Sequence, residues 1–231
     1  MERASYLWFM PFNIAPYIDH TILKPTTTEA EVKTLCEQAA QYNFAAVCVP
    51  PVYVRRARKF LHRTEVKVAT VIGFPLGYNE MEVKALEIAD AIDDGADELD
   101  MVQNLTAVKN ADWGCLEKEI IAALVPIHQS GKKIKIIVES GLLTDEELIK
   151  CCSIYGQFNV DFLKTSTGFA ETGATVHAVQ LMRANLPEKI AIKASGGIRN
   201  FAFAKELIDA GATRIGCSAS VQIFNESREA V

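Results

Sequence analysis

Lys164 closes the apolar run Val160-Asp161-Phe162-Leu163 and opens the small-residue loop Thr165-Ser166-Thr167-Gly168. Lys193 does the same between Ile190-Ala191-Ile192 and Ala194-Ser195-Gly196-Gly197. A buried strand normally excludes lysine, because an ammonium taken out of water costs several kcal/mol. Two lysines at equivalent strand ends suggest one amine that reacts and a second cation that tunes it, the arrangement of Schiff-base chemistry. The attacking amine must be neutral, and moving its pKa from ~10.4 towards ~7 costs about 4–5 kcal/mol. Apolar walls and a neighbouring ammonium both push that way. The competing reading is a pair of rim lysines in ordinary ion pairs with Asp or Glu.

Two carboxylates fall at comparable places. Asp100 ends Glu98-Leu99-Asp100-Met101-Val102, where it could hold Lys193 protonated and pass protons through a water, or serve as a structural ion-pair partner. Asp19, in Tyr17-Ile18-Asp19-His20-Thr21, could orient a substrate hydroxyl or cap the following loop. Cys48 at another strand end could line a pocket or simply fill space as a small apolar group. Glu139 reads as a supporting anchor rather than an acid. Gly168, Gly196-Gly197 and Gly216-Cys217-Ser218 follow successive strands. Glycine lets backbone N–H groups approach an anion, and Ser218 adds a hydroxyl, so these loops could cradle a phosphate.

The elements that would position these groups alternate along the chain. Strand-like runs lie near 16–19, 45–49, 66–72, 97–102, 134–139, 160–164, 189–193 and 213–217. Most are continuously apolar, which suits a parallel sheet covered on its outer face. Thr28-Glu29-Ala30-Glu31 and Thr144-Asp145-Glu146-Glu147 are capping boxes, and Val32, Leu35, Ala39 and Tyr42 then share one helical face. Asn200 starts another helix that Gly211 can stop, and Asn104–Asp112 supplies an extra loop or helix. The strand-end residues Asp19, Cys48, Gly73, Asp100, Glu139, Lys164, Lys193 and Ser218 recur at near-equal intervals, only the Asp100–Glu139 interval being long. Eight such units favour a single (β/α)8 barrel of the TIM type over a doubly wound sheet. We expect an N-terminal extension over residues 1–15 and the barrel over 16–231.

The 231 residues are 49% hydrophobic and 23% charged, a globular composition, and a net charge of −5 argues against a nucleic-acid partner. Six cysteines without a CxxC pair read as free thiols in a reducing cytosol, giving a cytoplasmic expectation. Four histidines in no HxH or HExxH spacing give a metal site little support. The apolar run Tyr6–Phe12 is too short to span a bilayer and is expected to pack on the fold or on a partner subunit.

The sequence resembles the deoxyribose-phosphate aldolases. Matching blocks, all in order, are Tyr17–Pro25, Val47–Pro50, Gly73–Gly77, Glu98–Val102, Phe162–Gly168, Ile192–Arg199 and Arg214–Ser218. The Lys164-Thr165-Ser166-Thr167-Gly168 block is the most specific of them. The resemblance implies a class I aldolase that needs no cofactor and reversibly cleaves 2-deoxy-D-ribose 5-phosphate to acetaldehyde and D-glyceraldehyde 3-phosphate. It implies that Lys164 forms the Schiff base, Lys193 lowers its pKa and Asp100 relays protons. Gly168, Gly196, Gly197 and Ser218 become parts of a phosphate cup. Gly216, Thr167, Asp19, Thr21 and Cys48 complete the expected substrate and phosphate contacts. Partners are small phosphosugars and aldehydes, with no membrane, and a homodimer is expected by analogy.

Some positions depart from the family pattern. Phe169 stands where some members carry a lysine near the phosphate, so backbone donors must suffice. Ser140-Gly141 replaces a more usual Thr-Cys, Gln103–Thr106 is unusual, and no tyrosine ends the chain at Val231. Two other readings are a Schiff-base aldolase for a different phosphosugar and a sugar-phosphate-binding barrel without turnover.

Overall fold

Both capping boxes form as their spacing predicts. Thr28 accepts from the Glu31 N–H while Glu31 returns a bond to the Thr28 N–H, and Thr144 and Glu147 repeat the exchange. They start α1 (Glu29–Tyr42) and α6 (Asp145–Tyr155). Val32, Leu35 and Ala39 are buried along one face of α1, with Tyr42 packed beside them. Asn200 caps α8 (Phe201–Asp209) by accepting from the Phe203 N–H, and Gly211 follows at φ 118°. The remaining helices are α2 (Val54–Phe60), α3 (Met81–Asp93), α4 (Leu105–Lys109), α5 (Trp113–Gln129), α7 (Val176–Asn185) and α9 (Ser220–Glu229). α4 is the extra piece expected in the long fourth unit.

The computed structural model describes residues 12–229. Its strands are β1 (Ile18–Thr21), β2 (Ala46–Cys48), β3 (Lys67–Ile72), β4 (Glu98–Val102), β5 (Lys133–Ile137), β6 (Phe162–Lys164), β7 (Ala191–Ser195) and β8 (Arg214–Cys217). They pair in parallel in sequence order and close from β8 back to β1, giving the (β/α)8 barrel. The main apolar core lies between strands and helices, built on residues such as Leu99, Ile134, Ile136, Leu163, Ile192 and Ile215. Continuous burial of most strand residues explains why the runs read as unbroken rather than alternating. The expected packing of Tyr6–Pro11 lies outside the described residues. Phe12 stacks near Tyr17 and Phe201, and Ile14 and Ala15 are buried in the core.

One expectation about strand ends needs correction. Cys48 and Lys164 do end their strands, but Asp19, Asp100 and Lys193 sit two residues earlier, inside β1, β4 and β7. Their polar character suggested termini. The barrel instead places them within its lumen, where partners from other strands compensate the charge.

Candidate active site

Lys164 and Lys193 are direct register partners on the adjacent strands β6 and β7. In parallel pairing this puts both side chains on the same face of the sheet. Both amines donate to one oxygen of Asp100: Lys164 Nζ to Oδ2 at 2.9 Å and Lys193 Nζ to Oδ2 at 2.8 Å. The two nitrogens therefore lie no further apart than those two bonds laid end to end. Lys164 is 3% and Lys193 1% exposed.

Four more strand residues complete the cluster. Lys193 Nζ also donates to Asp19 Oδ2 at 2.5 Å, and Arg214 to Asp19 Oδ1 at 2.6 Å. Lys135 of β5 donates to Asp100 Oδ1 at 2.7 Å and lies 2.6 Å from Glu98 Oε2, which Arg214 also reaches. Bonds that join β1 to β7 and β4 to β6, β7 and β8 can only cross the lumen. A layer that small barrels commonly fill with branched apolar groups is here a network of charges.

The electrostatic consequences diverge. Burial pushes the Lys164 amine below its ordinary pKa; Asp100 opposes this, and the Lys193 ammonium adds to it. Burial acts on Lys193 too, but Asp100 and Asp19 outweigh it and hold that amine charged. Lys135 is likewise held charged against burial, by Asp100 and Glu98. Burial would raise Asp100, yet Lys135, Lys164 and Lys193 hold its carboxyl well below the usual range. Adjacent lysines thus end in opposite states, one inclined to lose its proton and one to keep it.

Above the lysines, the loops after β6, β7 and β8 line a cavity of about 810 Å³ into which Lys164 and Lys193 open. Gly168, Gly196 and Gly197 take φ of 85°, 89° and 77°, the left-handed region that L-residues rarely adopt. Burial raises the Glu139 carboxyl, which pins the first of these loops by accepting from the Thr167 N–H at 3.2 Å and from its hydroxyl. At the lip, Phe169 is 54% exposed and meets Phe74 of the β3–α3 loop edge-on at 5.2 Å.

The model of the DeoC/LacD family aldolases matches residues 14–226. The chain belongs to the DeoC/LacD family of aldolases. It is 47% identical over 215 residues to a deoxyribose-phosphate aldolase of Caldanaerobacter subterraneus subsp. tengcongensis, covering 93% of each chain. Among solved structures, a putative deoxyribose-phosphate aldolase from Coccidioides immitis superposes with a TM-score of 0.90 at 38% identity, covering 94% of this chain and 86% of that one. A deoxyribose phosphate aldolase from Aeropyrum pernix, described as a unique tetramer, gives a TM-score of 0.85 at 32% identity, covering 94% and 92%.

Within this aldolase barrel, most residues singled out from sequence meet at one mouth. Thr21, Thr167, Gly168, Gly196, Gly197, Gly216 and Ser218 all line the cavity with the two lysines. Gly216 has an added reason to be small: a Cβ there would sit 2.9 Å from Lys193 Cε. Asp19 and Cys48 are buried in the lumen and are not among the residues that line the cavity. Each Asp19 oxygen accepts from a cation, Oδ2 from Lys193 and Oδ1 from Arg214, so its carboxylate is engaged in the lumen network. Cys48 is fully buried against Ala69 and Val71 inside the barrel, and burial raises its thiol pKa. Sequence reasoning missed Lys135, Glu98 and Arg214, and also Lys24 and Arg199, exposed cations on the cavity rim. Lys135 had one weak signal: in Lys133-Ile134-Lys135-Ile136-Ile137 it is a charge inside an otherwise apolar run, but alternation puts it on the same face as Lys133 and lets both read as exposed.

Among the described residues, no group of three or more His, Cys, Asp or Glu is arranged to hold a metal ion. No helix among them is long and apolar enough to cross a membrane.

Proposed function

We propose that this chain is a class I aldolase that reversibly cleaves 2-deoxy-D-ribose 5-phosphate, with Lys164 as the Schiff-base amine. The observation that carries this is the convergence of Lys164 and Lys193 on one Asp100 oxygen beneath three glycine loops. Neutral Lys164 attacks the C1 aldehyde of the open-chain sugar, and loss of water gives an iminium. The C3 hydroxyl then gives up its proton and the C2–C3 bond breaks. Its electron pair moves into the iminium to leave an enamine, and D-glyceraldehyde 3-phosphate departs. Protonation of the enamine at C2 and addition of water release acetaldehyde and restore the amine. Lys193, kept charged by Asp19 and Asp100, supplies a cation beside the developing charge, and Asp100 with a water carries the proton. The backbone N–H groups of Gly168, Gly196 and Gly197, with the Ser218 hydroxyl, hold the phosphate and place C1 near Lys164.

The 47% identity to a deoxyribose-phosphate aldolase favours this substrate over another phosphosugar. Borohydride reduction in the presence of acetaldehyde, followed by peptide mapping, should place the adduct on Lys164. An adduct on Lys193, or none, would overturn the assignment. Turnover with dihydroxyacetone phosphate but not acetaldehyde as donor would instead favour the other Schiff-base aldolase.

Residues 16–231 are read as one barrel domain. A homodimer remains part of the proposal, and sedimentation analysis distinguishes it from the tetramer described for the Aeropyrum pernix protein. All six cysteines are free thiols, which supports a cytoplasmic setting.

A further inference from the structure

The ion pairs of the lumen do not balance. The basic members are Lys135, Lys164, Lys193 and Arg214, and the acidic members are Asp19, Glu98 and Asp100. Three of the cations use the acids fully. Arg214 takes Asp19 Oδ1 and bonds to Glu98, Lys193 takes Asp19 Oδ2 and Asp100 Oδ2, and Lys135 takes Asp100 Oδ1 and Glu98 Oε2. Lys164 has only a share of Asp100 Oδ2, at 2.9 Å, which Lys193 already occupies at 2.8 Å. It is the surplus cation of a buried cluster, where an uncompensated charge is costly.

Lys135 makes it surplus. Its side chain is fully buried, is absent from the cavity lining and pairs with Asp100 from the adjacent register position on β5, so it touches no substrate. We propose that Lys135 is a positioning residue for the reaction: by neutralising Asp100 and Glu98 from the neighbouring strand, it leaves the lumen one positive charge in excess, which the site relieves by releasing the Lys164 proton. This rests on the reading of Lys164 as the Schiff-base amine.

Two other titratable groups face Lys164 and stand outside the ion pairs. Cys48 on β2 is a buried thiol, kept protonated by burial. Glu139, beyond β5, is raised by burial and bonds to Thr167; it feels the Lys164 charge but makes no ion pair with the four cations. The directions agree with the count: Lys135, Lys193 and Arg214 are all pushed up, and Lys164 alone is pushed down.

The test is a charge count read through pH. In Lys135→Met the remaining three cations meet three acids, the excess vanishes and Lys164 keeps its proton. The acid limb of kcat/KM for 2-deoxyribose 5-phosphate should move up by roughly one to three pH units. The pH dependence of borohydride trapping with acetaldehyde should move with it. Adding Glu98→Gln to Lys135→Met restores an excess of one, so the limb should return towards the parent position despite the second change. A merely structural role predicts no such rescue. Should Lys135→Met fail to fold, Glu98→Gln alone raises the excess to two and should move the limb down. A folded Lys135→Met with the parent's limb, a double variant that stays shifted, or an unmoved Glu98→Gln would each overturn the inference. Absence of a Lys164 adduct in the parent protein would instead defeat the aldolase reading.

Discussion

Gly173 is the position where one added methyl group should separate phosphate recognition from iminium chemistry. It lies in the loop between β6 and α7, and its backbone packs directly on Gly196 of the proposed cup. A Cβ built there would stand 2.5 Å from the Gly196 carbonyl carbon and 3.0 Å from its Cα. Ordinary packing needs about 3.5–4 Å, so the Gly196 peptide must move by on the order of 1 Å. That shift strains the bond from the Ala174 N–H to the Gly196 oxygen, now 3.1 Å, and swings the neighbouring N–H groups off the phosphate. A charge-assisted hydrogen bond is worth about 1.5–3 kcal/mol, so losing one should weaken phosphate binding about 10- to 100-fold. Lys164 sits beneath this loop and keeps its partners. For Gly173→Ala we therefore expect a raised KM for 2-deoxyribose 5-phosphate, little change with unphosphorylated 2-deoxyribose, and parent-like trapping of acetaldehyde. Steady-state kinetics on both sugars make the comparison. An unchanged KM for the phosphorylated sugar, or equal losses on both sugars, would refute the reasoning.

Lys164→Met should abolish turnover while leaving the protein at least as stable as the parent at pH 7, measured by urea unfolding. The sign follows from linkage. The folded-state amine is depressed below its unfolded value of ~10.4, so between the two the unfolded chain binds the extra proton and the parent's stability rises with pH. The variant lacks this penalty, and its advantage should shrink as pH approaches ~10; a clearly less stable variant at pH 7 contradicts the account. Lys84→Met addresses a second buried ion pair, remote from the lysine cluster. Lys84 is 1% exposed and donates to Glu119 Oε1 at 2.5 Å and to the carbonyl oxygens of Gly77 and Val102. Removing it strands a buried carboxylate and should cost about 3–5 kcal/mol, with partial recovery in Lys84→Met/Glu119→Met. A loss within ~1 kcal/mol by the same urea measurement would show that the pair contributes little.

Local rules made much of the barrel readable. Capping boxes at Thr28 and Thr144, the Asn200 cap and the turn glycines act over three or four residues, so their outcome is written in adjacent positions. Unbroken apolar runs announce strands buried on both faces, and near-equal spacing announces their repetition. Lys164 and Lys193 were legible because a lysine in such a run has few benign explanations. Asp19 was legible as an unusual residue but not in its role. Only closure of β8 onto β1 brings it to Lys193 and Arg214, 174 and 195 positions away in the chain.

The sequence by itself determined the periodicities, the helix boundaries and the presence of two out-of-place amines, since each depends on neighbours along the chain. The tertiary structure alone decided which charges share the lumen, that Lys135, Glu98 and Arg214 belong to the network, and that Cys48 is buried among Ala69 and Val71. Those outcomes depend on distances across the barrel. A proton's preference for one lysine over another depends on the sum of every charge within that closed volume, and the chain order does not contain that sum.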